Sequence, residues 1–400
     1  MIALMLVLPA FGQKKKNTAP SDQPKLGDQR QVAYFDIKKI IWPNPPAIAR
    51  IKFQELYTGE KVDPNQFSKA NRKPKQKWMD RLAGTQAVNE IEVKNLPFQL
   101  IRTYGLAVDS KGNVYAADQG VGAIFIFTAE KQVKMIKNGT DASFGLIAGL
   151  AMDDDDRLFI SDAKLHRVLV LDSDHKQIAS VGMDVLVNPA GVAIDPENRL
   201  LYVADTGNDC VQVFDADSFK LLRHLGKPSK KHDATDPGLF SLPVGVAVDA
   251  EGNVYVTDTF NARVEIFDAD GAFLSTFGKM SDAAWDFERP KGIAIDCDGH
   301  IWVVDAAQDR VKVFNREGRL LIYFGEHGEY PGKFMGAWGI TIDKDNRVFV
   351  SETFPGRVQQ FKYVTDDEAA AEKKKREGAE QKPAKASAAP AAVKKDASNP

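Results

Sequence analysis

Twelve acidic residues recur at fixed places in this chain, and their types and spacing are the first candidates for chemistry. Asp109, Asp153, Asp195, Asp249, Asp296 and Asp343 each close a short run that opens with glycine and two apolar residues, and they stand 42 to 54 residues apart. A second acid follows nine or ten residues later in every copy: Asp118, Asp162, Asp205, Asp258, Asp305 and Glu352. Five residues further on stand Arg167, Arg263, Arg310 and Arg357, with Ala123 and Cys210 in the other two copies. Paired carboxylates can do acid–base work, and a carboxylate beside arginine forms a strong charge-assisted pair. Six equivalent copies, however, cannot all be one active site. The pattern predicts that acids such as Asp258 pair with their arginine or cap turn amides, and that the Asp109 type binds turn amides at a strand end.

The remaining chemistry-bearing residues are scattered. The six histidines are His166, His175, His224, His232, His300 and His327, and no three fall at equivalent positions of the repeat, as a zinc site would need. The two cysteines, Cys210 and Cys297, sit in different copies at non-equivalent positions, without CxxC or Cys/His spacing. No GxSxG elbow is present. No catalytic residue, metal ligand or cofactor is assigned from the sequence.

The elements that carry these residues are short strands. In the cleanest copy GVAVD (245–249) is an inner strand and AEGN a turn, followed by VYVTD (254–258), RVEIFD (263–268), a turn at 269–271 and FLSTFG (273–278). The turns SKGN, PENR, CDGH and KDNR supply Gly, Asn and Asp, which accept positive φ. Four strands per period of about 40–50 residues predict an all-β fold, a six-bladed β-propeller of four-stranded antiparallel blades. The blades cover about 105–138, 149–182, 191–226, 245–278, 292–325 and 339–363. The sixth copy stops after three strands. An open blade exposes a hydrogen-bonding edge, so the alternating segment Ala49–Tyr57 is expected to close the ring as an N-terminal strand spanning 48–58.

The pattern GVAVD…GNVYVTD…NARVEIFD…FLSTFG and its copies resemble the NHL repeat of six-bladed propellers, over about 105–363. The resemblance is to bacterial, exported proteins of this type. It implies a fold first; members include sensor domains of bacterial receptor kinases, RNA-binding and partner-binding modules, and a few enzymes. Amidating lyases of this class use a histidine-held zinc at the channel, and gluconolactonase-like propellers a Glu/Asn/Asp calcium site. The histidine positions here do not converge, and neither Glu nor Asn occupies the residue before any of the six inner-strand glycines.

Function is expected where the copies differ, on the face formed by the loops leading into the inner strands and the turns between second and third strands. The residues just before the inner glycines are Tyr104, Ala148, Ala190, Val244, Lys291 and Trp338. The neighbouring turns and loops add His166, Phe260 and Phe354, and Arg102, Phe144, Arg289 and Phe334. The candidate ligand-binding set is Arg102, Tyr104, His166, Phe260, Arg289, Lys291, Trp338 and Phe354, a partly aromatic, partly basic funnel suited to a peptide, glycan or anionic small molecule. The alternative expectation is that these side chains plug the channel by packing on one another.

Composition bounds the remaining choices. With 44% hydrophobic and 27% charged residues the chain has globular character. Residues 1–95 hold 17 Lys and Arg against 9 Asp and Glu, which leaves the rest of the chain at −10 for a total of −2. An acidic repeat body argues against nucleic acid as partner. MIALMLVLPAFG (1–12) is too short to span a bilayer and reads as a signal peptide with Ala10 and Gly12 before the cleavage point. Residues 13–47 are expected to be an extended or disordered linker in which Pro43, Pro45 and Pro46 lead the chain in. Residues 59–98 form an excursion with a short helix around Lys77–Leu82, residues 99–364 the propeller, and 365–400 a disordered low-complexity tail. Together these features predict a monomeric protein, periplasmic or secreted. Its expected role is a non-catalytic binding or scaffolding module for a protein, peptide or glycan of the cell envelope. A propeller lyase or hydrolase with a degenerate metal site is the alternative.

Overall fold

A computed structural model describes residues 39–59, 99–139, 141–228 and 236–380. The signal peptide, most of the linker before 48 and nearly all of the 59–98 excursion lie outside the described residues. Six antiparallel sheets are present. Blade 1 runs Thr103–Val108, Val114–Asp118, Ala123–Phe127 and Val133–Lys137; blade 2 Ile147–Met152, Leu158–Asp162, Arg167–Leu171 and Gln177–Val181. Blade 3 comprises Pro189–Asp195, Leu200–Asp205, Cys210–Asp215 and Leu221–Leu225, and blade 4 Pro243–Val248, Val254–Asp258, Arg263–Phe267 and Phe273–Phe277. Blade 5 follows with Pro290–Ile295, Ile301–Asp305, Arg310–Phe314 and Leu320–Phe324; blade 6 opens with Ala337–Ile342, Arg347–Glu352 and Arg357–Tyr363. Each inner strand neighbours the next, and the last neighbours the first, so the fold is the expected six-bladed ring.

Alternation explains the packing. Successive residues of a strand point to opposite faces of its sheet, and each blade has a neighbour on both faces. The second and third strands are therefore apolar almost throughout. Six hydrophobic clusters result, one in each interface between blades. Blade 4, for example, sends Val254 and Val256 toward blade 3 and Tyr255 and Val264 toward blade 5.

Ring closure follows the sequence expectation. Ile51–Tyr57 pairs antiparallel with Arg357–Tyr363, with Ile51 opposite Tyr363 and Tyr57 opposite Val358. Ile51 and Phe53 are buried against Phe361, Trp302 and Phe334. The linker reading needs correction at its end: Ile41–Trp42 turns back and pairs with Ile51–Lys52 as a fifth strand. Trp42 is drawn in by Phe324 and Phe361, whose ring centroids lie 5.3 and 5.9 Å from its own.

The first part of the tail also departs from expectation, because Asp366–Glu380 is an α-helix, while 381–400 lie outside the described residues. Its sequence holds a capping box. Glu368 N donates to Thr365 Oγ1 at 3.2 Å and Thr365 N to Glu368 Oε2 at 3.1 Å, satisfying two amides at the helix start. Three acids occupy the first turn, favourable to the helix dipole. Arg50 on the closing strand reaches Asp366, and Arg376 donates to Pro46 O at 3.1 Å. Caps and ion pairs thus supply what apolar burial does not.

Candidate functional site

The inner strands place one residue per blade at the channel mouth, and glycine makes this possible. A Cβ at Gly245 would stand 2.3 Å from the Lys291 carbonyl oxygen of the next blade, and one at Gly339 would stand 2.3 Å from that of Tyr104. Only hydrogen fits there, so each glycine seats the carbonyl of the next pre-glycine residue. In blades 2, 4 and 6 a second-strand hydroxyl fastens the contact. Thr257 Oγ1 donates to Lys291 O at 2.7 Å and accepts from Gly245 N at 2.8 Å. Ser161 bonds likewise to Ala190 O and Gly149 N, and Ser351 to Tyr104 O and Gly339 N. All six inner strands also slip register just there, a bulge that re-aims the residue before the glycine.

The six pre-glycine residues consequently line one cavity of about 270 Å³. Lys291 is only 6% exposed, and its Nζ lies 4.6 Å above the Trp338 ring. Tyr104 meets Trp338 edge-on at 4.9 Å. Burial, then repulsion from Arg289, lowers the Lys291 pKa to about 8. Lys291 is the single Lys, Arg, Asp or Glu in the cavity lining among the described residues. Beneath it the next ring is wholly aliphatic: Leu106, Leu150, Val192, Val246, Ile293 and Ile340.

Of the eight candidates, Tyr104, Lys291 and Trp338 meet in this cavity. Arg102, His166, Phe260, Arg289 and Phe354 stay outside its lining, on loops and turns of the same face. Arg102 and Arg289 lie in lead-in loops whose amides bond Asp118 and Asp305 at 2.9 Å each. His166 Nδ1 contacts Val187 O at 2.5 Å. Phe260 and Phe354 are 56% and 59% exposed. Phe144 and Phe334 leave the funnel altogether and pack between blades, because the lead-in loops tuck an aromatic ring into the apolar seam. Sequence reasoning missed Gln119, Asn188 and Thr206, the polar members of the lining. Gln119 and Thr206 directly follow the second repeated acid, and that position was the available signal.

The repeated acids build the blades. Asp118 accepts from the amides of Ile101, Arg102 and Val121 at 2.6, 2.9 and 2.8 Å, and Asp162 and Asp205 bind their own loops in the same way. The acid–arginine pair forms in blades 4 and 6, with Arg263 Nε 3.0 Å from Asp258 and Arg357 Nε 2.6 Å from Glu352. In blade 5 Lys312 takes the arginine's place beside Asp305 at 2.9 Å, and Arg310 instead lies over Tyr323. Arg167 bonds Ser180 Oγ and Ser143 O. The first acids hold the opposite turns: Asp249 accepts from Glu251 N, Asn253 N, Asn253 Nδ2 and Tyr255 Oη at 2.8–3.0 Å. Positive φ in these turns falls on Gly112, Gly252, Gly299, Asp156, Asn346 and, unexpectedly, Arg199. Arg199 is held there by Asp217, with Nη2–Oδ1 at 2.6 Å.

The zinc and calcium expected of lyase- and lactonase-like propellers do not suit this donor set. The upper cavity presents no carboxylate and no histidine, and its charged group is itself a cation. Among the described residues no group of three or more His, Cys, Asp or Glu could hold a metal ion. His175 bonds Tyr115, His300 bonds Asp296, and His327 bonds Asp309, all away from this cavity. Cys210 is buried and Cys297 exposed, both as free thiols.

Two family descriptions match: SMP-30/Gluconolactonase/LRE-like region over residues 145–278, and NHL repeat over 287–314. The chain is 30% identical over 109 residues to a probable peptidyl-alpha-hydroxyglycine alpha-amidating lyase of Caenorhabditis elegans, covering 27% of this chain and 30% of that one. It is 30% identical over 192 residues to NHL repeat-containing protein 3 of Homo sapiens, covering 42% and 52%. The chain thus spans about a third to a half of these relatives' lengths. Among solved structures, a protein of unknown function from Bacteroides thetaiotaomicron superposes with TM-score 0.52 at 17% identity, over 66% of this chain and 70% of that one, a likeness of fold alone. Fold and repeat together define a six-bladed β-propeller similar to NHL-repeat and gluconolactonase-like proteins. Among the described residues no helix is long and apolar enough to cross a membrane.

Proposed function

We propose that this propeller is an exported, non-catalytic binding module whose contact surface is the upper face around Tyr104, Lys291 and Trp338. Export rests on the apolar run and small residues of positions 1–12. The observation that carries the binding role is the distribution of exposed apolar side chains. Among the described residues, Phe260, Phe354, Trp285 and Tyr330 stand exposed on the lead-in loops and second–third turns, while the opposite turns expose no large apolar side chain. Aromatic side chains exposed on one end of the ring suit contact with a protein. The partner is a protein or peptide of the cell envelope.

A pull-down from the envelope fraction tests this, with wild-type protein and a Phe260→Ser/Phe354→Ser variant. One partner retained by the first and lost by the second is the expected result. Equal capture by both removes the upper face from the role. The match to an amidating lyase sustains a second reading, a propeller lyase or hydrolase. Stoichiometric zinc or calcium by elemental analysis, with turnover abolished by a chelator, would replace binding with catalysis.

A further inference from the structure

The upper cavity contains a cation without a counter-charge. Lys291 is 6% exposed as a residue, and its Nζ faces the cavity over the Trp338 ring, with no ion pair or hydrogen bond to a described residue. Among the described residues every other buried basic side chain has one: Arg263 has Asp258, Lys312 has Asp305 and Arg357 has Glu352. The cavity around Lys291 is lined by the Trp338 ring, Tyr104, aliphatic residues and the uncharged polar Gln119, Asn188 and Thr206, with Arg289 repelling it from its own loop. A charge largely withdrawn from water and left unpaired is poised to take an anion that enters the cavity.

We propose that this cavity holds a monocarboxylate with an apolar or aromatic body, its charge on Lys291 Nζ and its body against Trp338 and Tyr104. The assignment deepens the binding role proposed above and rests on it. A single ammonium matches one negative charge. A phosphate dianion would need further cations or an arginine fork, which the lining lacks. The aliphatic ring below closes the cavity to charge, and a volume of about 270 Å³ suits a compact ligand. The carboxylate could belong to a free acid or to a peptide partner ending in an aromatic residue; the recognition chemistry is shared.

Calorimetric titration of the full chain with phenylacetate, phenylacetamide and inorganic phosphate decides the matter. Saturable phenylacetate binding is expected, weakened at least tenfold in Lys291→Met, in the neutral amide and on raising the pH from 7 to 9.5. Lys291→Met keeps the shape of the stem, and its melting curve shows whether it folds. Equal binding by that folded variant, equal binding of phenylacetamide, or no saturable phenylacetate binding would overturn the proposal. Phosphate binding tighter than phenylacetate would do the same. Competition by a peptide ending in phenylalanine, as free acid and as amide, assigns the source: displacement by the acid form alone names the partner's terminus, and displacement by neither leaves a free acid. Phenylacetate binding should persist in Phe260→Ser/Phe354→Ser. Loss of partner capture alone therefore separates failure of the docking role from failure of this one.

Discussion

The two mouths of the central channel are built by the same six inner strands, yet their chemistry is opposite. The lower mouth carries Asp109, Asp153 and Asp343, and these carboxylates are occupied by the amides and side chains of their own turns. The upper mouth carries one lysine with no acid, two aromatic rings and three small aliphatic residues at the pre-glycine positions, with Gln119, Asn188 and Thr206 as its other polar members. Polar groups that recur in every blade are satisfied inside the blade and hold it together. The one charged group of the upper mouth, Lys291, meets the Trp338 ring and no counter-charge among the described residues. Repetition therefore marks structure in this molecule, and the proposed ligand site lies where it breaks.

That comparison presupposes a closed ring, and opening the ring should have the largest effect. Removing residues 1–58 strips Ile51, Phe53 and Tyr57 from blade 6, and each buried apolar side chain contributes about 1.5–3 kcal/mol. The melting temperature should fall by more than about 10 °C or cooperative unfolding should vanish. An unchanged melting curve would show that both mouths survive without the clasp.

In a turn on the lower side of the ring, Asp249→Ala removes four hydrogen bonds and leaves a buried Tyr255 hydroxyl without its acceptor. It should cost about 2–4 kcal/mol in urea unfolding and leave ligand binding unchanged. A loss of binding without a loss of stability would erase the contrast.

At the upper mouth, Lys291→Met should act in the opposite sense and raise stability at pH 7 by about 1–3 kcal/mol, because it deletes a largely desolvated, unpaired charge. The pH dependence carries a signature. Lys291 titrates near 8 in the folded protein and near 10.5 when unfolded, so between these values the unfolded chain holds more protons. Wild-type stability should therefore gain a component as pH rises from about 8 to 10.5, absent from Lys291→Met. Parallel pH profiles for the two proteins would contradict it.

The smallest effect concerns Glu265, buried under the upper face of blade 4. Gly238 N donates to its Oε2 at 2.9 Å, while its Oε1 lies 2.6 Å from Arg263 Nη2 without hydrogen-bond alignment. Burial, opposed by Arg263, raises its pKa to about 7. Between the ordinary 4.5 and 7 the folded protein holds more protons, so stability falls as pH rises through this window. Blades 3 and 6 carry Gln212 and Gln359 at the equivalent position, so glutamine fits. Glu265→Gln should flatten the dependence and add about 1 kcal/mol at pH 8, measured by urea midpoints.

Much of this was legible in the residues. The acid spacing, the period-two strands and the incomplete sixth copy gave the blades and the closing strand, because each is a local pattern. The fifth strand Ile41–Trp42 was not legible, since two residues carry no periodicity and Trp42 is held by rings distant in sequence. The helix Asp366–Glu380 was hidden behind a charged, alanine-rich composition, although Thr365 and Glu368 spell a capping box. Tyr104, Lys291 and Trp338 could be found by their place before a glycine. Phe144 and Phe334, chosen on residue type, went into the core because lead-in loops are long enough to fold either way.

The sequence by itself determined how many blades there are, which residues close them and which position of each repeat reaches the channel, since alternation and turn chemistry act over a few residues. Only the tertiary structure decided that Lys291 lies over Trp338 with no acid beside it. That outcome depends on six strands meeting around an axis and on which neighbour each pre-glycine side chain meets, 47 residues along the chain in this case.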